Sequence, residues 1–92
     1  MNDYTRELRR KELLAHFDKR FADDLKIARE RCSFVAVSED IQEDARGKLT
    51  ATVTLTCASG EKVSNSRALY EYRQRSASVP QEGWHCYLDW RD

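Results

Sequence analysis

The chain has 92 residues, of which 40% are hydrophobic, 10% aromatic and 35% charged, enough for one core and too few for two. Sixteen basic residues balance sixteen acidic ones, for a formal net charge of zero. That balance excludes a uniformly basic duplex-DNA binder working mainly by phosphate neutralisation, and equally a wholly acidic DNA mimic.

Residues 1–92 are expected to form a single domain with a densely charged surface. The first thirty residues carry fifteen charges, and the longest apolar run, Phe34 to Val37, spans four residues. Neither a signal-peptide core nor a membrane span is therefore expected, and the expected location is the cytoplasm. Cys32, Cys57 and Cys86 are odd in number and widely spaced, which suits reduced, buried thiols better than a disulfide framework.

The N-terminal third carries no glycine or proline and its periodicity predicts one helix over about residues 3–31. At about 100° per residue, Leu14, Phe17, Phe21, Leu25, Ala28 and Cys32 share a stripe about 80° wide, with Leu13 on its margin. The opposite face is laced with opposite charges at helical spacing: Glu7 with Lys11, Lys19 with Asp23, Arg20 with Asp24 and Lys26 with Glu30. Such a helix would run ~43 Å, against ~32 Å for a sphere of the expected radius of gyration. Either it breaks near Arg10 to Glu12 or its N-terminal end projects.

Beyond Cys32 the period becomes two. A first strand is predicted over 33–38, β-branched and apolar. The acidic stretch Glu39, Asp40, Glu43 and Asp44 then reads as a helical turn or an ordered loop. A second strand over 48–57 alternates Leu49, Ala51, Val53, Leu55 and Cys57 with four threonines, so that one face is buried and the other is a threonine ladder. Ala58 to Glu61 supplies turn chemistry for a hairpin into a third strand over 62–73. There Ala68, Tyr70 and Tyr72 share a face and Val63 does not, which a bulge near Asn65 or Ser66 would reconcile. A fourth strand over 84–91 sets Trp84, Cys86, Leu88 and Trp90 inward against His85, Tyr87, Asp89 and Arg91. The expected architecture is α+β, a long N-terminal helix packed on a four-stranded antiparallel meander.

No metal site is expected, because Cys32, Cys57, Cys86, His16 and His85 lack ligand spacing and read as core thiols and surface imidazoles. Nor is a catalytic residue: there is no nucleophile turn and no glycine-rich loop opening a helix. Two kinds of binding surface remain. Arg73 and Arg75 follow two tyrosines, and His85, Tyr87 and Arg91 form an outward row, so these five are candidates for RNA contact. Arg6, Arg9 and Arg10, beside Tyr4 and Leu8, make a short basic stretch for a partner. Glu39, Asp40, Glu43 and Asp44 could pair with basic groups that normally hold nucleic acid.

The opening Met1-Asn2-Asp3-Tyr4-Thr5-Arg6-Glu7-Leu8-Arg9-Arg10-Lys11 and the closing Trp84-His85-Cys86-Tyr87-Leu88-Asp89-Trp90-Arg91-Asp92 resemble the small phage-encoded anti-CRISPR proteins acting on type I-F systems. The resemblance spans the full chain, but that group shares no common motif and supplies no catalytic residue to carry over. It implies a non-enzymatic inhibitor in the host bacterial cytoplasm. Such an inhibitor binds protein subunits of the CRISPR effector complex, with the guide RNA as a further candidate contact, and blocks hybridisation of target DNA to the guide. No cofactor, metal, small-molecule substrate or membrane is implied. The alternatives are a small RNA- or single-strand-binding regulator, which requires salt-sensitive binding to free oligonucleotide, and an antitoxin-like interaction domain.

Overall fold

Asn2 opens the first helix. Its side chain accepts a hydrogen bond from the Thr5 N–H at 2.8 Å, satisfying one of the donors a helix start leaves unpaired, and α1 then runs Asp3–Arg20. A computed structural model describes the backbone of residues 1–91 and the side chains of residues 1–89. In it the single helix expected over 3–31 is two. The break lies at Phe21, with φ −110° and ψ 28°, rather than near Arg10 to Glu12, and α2 spans Ala22–Arg31.

The step at Phe21 re-aims the apolar stripe. Leu13, marginal on a continuous helix, becomes fully buried with Phe17 from α1, while α2 buries Leu25 and Ala28. Leu14 and Phe21 are left half-buried. Backbone hydrogen bonds Phe21 N–H to Phe17 O and Leu25 N–H to Phe21 O, each 2.9 Å, carry the chain through the break. Arg20, at the end of α1, approaches Asp89 of β4 at 3.9 Å.

The body is not a sphere but measures 46 × 26 × 21 Å, so the helical layer lies along its length and the N-terminal half of α1 does not project. Trp84 ties that half to the sheet, its indole N–H donating to the Arg9 carbonyl at 2.9 Å. The outer side of the same turns stays wet, with Tyr4 78% exposed.

Four strands follow: β1 Phe34–Glu43, β2 Leu49–Ser59, β3 Lys62–Arg73 and β4 Gly83–Arg91. They pair antiparallel in the order β1-β2-β3-β4, an α+β meander with both helices on one face. The core joins Leu13, Phe17, Leu25 and Ala28 to Leu49, Ala51, Val53, Leu55, Ala68, Tyr70 and Trp84. The alternation in β2 holds along its length, and its threonines lie on the face away from the helices.

Three details of the sheet differ from expectation. The acidic stretch is loop only at Asp44, in the β1–β2 connection. Its other three residues are in the second half of β1, where Val37 and Ile41 alternate into the core and carry Glu39, Asp40 and Glu43 along in extended conformation. Next, the β2–β3 register runs without interruption from Thr50↔Glu71 to Ser59↔Lys62. There is no bulge at Asn65 or Ser66, and Val63 faces outward, 64% exposed. The bulge falls instead between β3 and β4, where Leu69 pairs with Leu88 but Tyr70 pairs with Cys86, leaving Tyr87 as the extra residue. An extra residue exchanges the two faces beyond it. Leu88 therefore leaves the core side, at 51% exposed, and Asp89 turns toward Arg20. The inward placement expected for Trp90 concerns a side chain outside the described residues.

Two glycines set the hairpins. Gly60, at φ +63°, takes the first central position of the two-residue β2–β3 turn, and Glu61 has a negative φ, the arrangement of a type II′ turn. Gly47, at φ +82°, closes the β1–β2 connection. There the Asp44 carboxylate accepts from the backbone N–H groups of Arg46 and Lys48 at 2.8 and 2.9 Å.

Candidate functional site

Among the described residues nothing packs over the second face of the sheet, and the registers define what stands on it. Phe34 pairs with Ala58 and Ala58 with Val63, so Phe34, Ala58 and Val63 make an apolar row across three strands at one end. Phe34 is 56% exposed. The threonine ladder of β2 crosses the middle, flanked by Asp40 opposite Thr52, Arg67 opposite Thr54, and Leu69. At the β4 edge lie Leu88 and the bulged Tyr87, each about half exposed.

The structure separates the acidic candidates. Within β1, Glu39 points to the helical side and receives the Arg10 Nε at 2.6 Å, a hydrogen bond that holds the Arg10 guanidinium all the more firmly protonated. Glu43 receives the Met1 amino group at 3.3 Å. Asp44 is occupied by its own turn. Asp40 alone of the four stands on the uncovered face, with Gln42 donating to it. The block that looked continuous in sequence is thus divided by strand alternation, and no joint acidic patch forms.

The basic helix start is likewise engaged. Arg6 reaches the Ile41 carbonyl at 3.5 Å. Arg9 pairs with Glu12 at 2.9 Å and lies over the Tyr72 ring at 4.4 Å, a cation–π contact. The three arginines clamp α1 to the sheet end instead of forming a free stretch.

The RNA-contact candidates also disperse. Arg73 donates to Glu71 and Arg75 to the Pro80 carbonyl at 3.1 Å. His85 stands opposite Glu71. Tyr87 is displaced from the row by the bulge, and the side chain of Arg91 lies outside the described residues.

An open cleft of about 660 Å³ occupies one end of the sheet, between the β1–β2 connection, the end of β3 and the start of α1. Lys48 Nζ and Arg73 Nε share the Glu71 carboxylate at 3.4 and 2.5 Å, which lowers its pKa below the usual carboxylate range, the Arg73 hydrogen bond being the main cause. Arg46, at the tip of the connection, has no side-chain partner among the described residues. Sequence reading missed Arg46 and Lys48. Their signal was the pair of cations flanking Gly47, the positive-φ position of a turn.

Two buried polar atoms lack a partner among the described residues, the Tyr70 hydroxyl and His16 Nδ1. The His16 ring meets Tyr70 edge-on at 5.3 Å. It is half-buried rather than the surface imidazole expected, and burial, helped by Arg20, His85 and Lys19, lowers its pKa. Burial raises Tyr70 far above its ordinary value.

Cys32, Cys57 and Cys86 are free thiols, each half-buried. Burial, and then contact with Cys32, pushes Cys57 up to about 11, so it is a neutral thiol at pH 7 and a poor nucleophile. Among the described residues no group of three or more His, Cys, Asp or Glu side chains could hold a metal ion, and no helix is long and apolar enough to cross a membrane. No family model, curated protein or solved structure matches the chain.

Proposed function

We propose that the chain is a non-enzymatic inhibitor that binds a CRISPR type I-F surveillance complex in the bacterial cytoplasm and blocks pairing of target DNA with the guide RNA. The reading rests on the resemblance of the opening and closing segments. The structural observation that supports it best is the uncovered sheet face, where Phe34 and Val63 are 56% and 64% exposed beside a threonine ladder and the charged Asp40, Arg67 and Arg73. Apolar anchors ringed by hydrogen-bonding and charged groups make a surface that fits a folded protein subunit better than free nucleic acid. Arg73 and His85 stand at the far end of that face, so the reading assigns any guide-RNA contact to them.

The division of the acidic block shifts the expected contacts from Glu39 and Glu43, which are held within the fold, to Asp40 and the apolar row. The test is co-elution with purified surveillance complex and a target-DNA binding assay. Wild-type protein is expected to co-elute and abolish DNA binding, and a Phe34→Ser, Val63→Ser double variant with an unchanged circular dichroism spectrum to lose potency by about tenfold or more. Failure of the wild type to co-elute, with DNA binding intact, overturns the reading.

A further inference from the structure

The cleft at the end of the sheet is lined by four cationic side chains, Arg9, Arg46, Lys48 and Arg73, and by two carboxylates, Glu43 and Glu71. In a chain with no net charge, that excess is local. It is also unevenly neutralised. Glu71 serves Lys48 and Arg73 together, so one carboxylate faces two cations, and Arg46 has no partner among the described residues. Uncompensated cations converging on a concave surface raise the local concentration of anions, and the planar guanidinium donates in pairs to the oxygens of phosphate.

The walls are not only charged. Half-buried Tyr72, with the Arg9 guanidinium over its ring, and Val79 contribute apolar surface, and the open cleft of about 660 Å³ is as large as sites that take an organic ligand. The cations sit on rigid supports. Arg73 ends β3, Lys48 directly precedes β2, and Arg46 stands on a connection braced by the Asp44 carboxylate. We propose that this cleft binds a nucleoside phosphate, either as a free mononucleotide or as a unit of a single nucleic-acid strand, with Arg46, Lys48 and Arg73 on the phosphate and the apolar wall against the sugar or base. The cleft adjoins the end of the uncovered sheet face and shares Arg73 with it, but its proposed ligand does not depend on the inhibitor reading.

The experiment is titration of the full chain, followed by amide NMR shifts and calorimetry, with four probes: adenosine monophosphate, a single-stranded decanucleotide, inorganic phosphate and a glutamate-rich peptide. Binding of either nucleotide probe is expected, with shifts centred on residues 46–49 and 71–74, weakening as salt rises. Inorganic phosphate is expected to bind more weakly, since it leaves the apolar wall unused. A preference for the mononucleotide identifies a small-molecule site, and a preference for the decanucleotide identifies a strand site. Arg46→Gln and Arg73→Gln are each expected to weaken binding about tenfold, while Arg29→Gln on α2 leaves it unchanged. Equal binding of the glutamate-rich peptide, shifts centred away from the cleft, or no binding by either nucleotide probe at low salt overturns the proposal.

Discussion

The two faces of the sheet come from the same strands and differ in what the pleat hands them. On the helical side, β2 presents Leu49, Ala51, Val53 and Leu55, all buried, and the helices close over them with Leu13 and Phe17. On the other side the same strand presents threonines, and the outermost positions present Phe34 and Val63 to solvent. The threonines keep the strand β-prone without demanding cover, which lets a chain this short build one core and leave a second surface free. Stability resides in the first face, and the surface available to a partner is the second.

The sharpest way to break that contrast is to truncate one side chain on each face. Leu13 is 0% exposed, and Leu13→Ala is expected to destabilise the fold by about 3 kcal/mol, the sum of lost transfer energy and a residual cavity. Phe34→Ala removes a larger side chain from the uncovered face and is expected to change stability by no more than about 0.5 kcal/mol. Urea denaturation of the two variants measures the difference, and similar losses would mean that the uncovered face is not free of structural duty.

A smaller effect is expected where the helical layer is fastened. Trp84→Phe keeps most of the ring but deletes the N–H that donates to the Arg9 carbonyl, so the expected loss is about 1–2 kcal/mol. Hydrogen exchange should quicken first in the early turns of α1, because that bond anchors them to β4.

How far such contrasts could be read from the sequence depends on the element. The β2 alternation and the Gly60 turn were legible because each is local: period two fixes the faces, and glycine marks the positive φ. The bulge at Tyr87 was not legible, since an extra residue in β4 is set by how Tyr70 and Trp84 seat in the core, and a perfect alternation from Trp84 to Trp90 gives no hint of it. The helix break at Phe21 was hidden for a similar reason, because no glycine or proline marks it and the stripe looks continuous. Of the candidate site residues, the acidic block was visible as composition but not as geometry. Reading it as a strand would have required weighing Val37 and Ile41 above the intervening charges.

The buried side of the contrast also predicts a dependence on pH. His16 has its pKa lowered by burial, with Arg20, His85 and Lys19 contributing, so the folded state holds it neutral more strongly than the unfolded chain does. Its contribution is fully present above the ordinary value of 6.5 and is lost as the pH falls through that value toward the lower folded one, because the unfolded state then binds the proton more readily. Denaturation midpoints measured from pH 8 down to 5 should fall for the wild type and fall less for His16→Gln. An equal slope in both would assign the acid sensitivity to another group.

The smallest expected effect has the opposite sign. Tyr70 is 0% exposed and its hydroxyl is buried with no hydrogen-bond partner among the described residues. A buried hydroxyl that gives up water without gaining a partner is unfavourable, whereas the ring supplies the packing against His16 and the core. Tyr70→Phe keeps that packing and is expected to raise stability by up to about 1 kcal/mol, the only substitution in this series that should strengthen the buried face. Urea denaturation again decides. A loss in the phenylalanine variant would show that the hydroxyl is engaged, with His16 Nδ1 as its natural counterpart, and would make the pair a hydrogen-bonded unit inside the core.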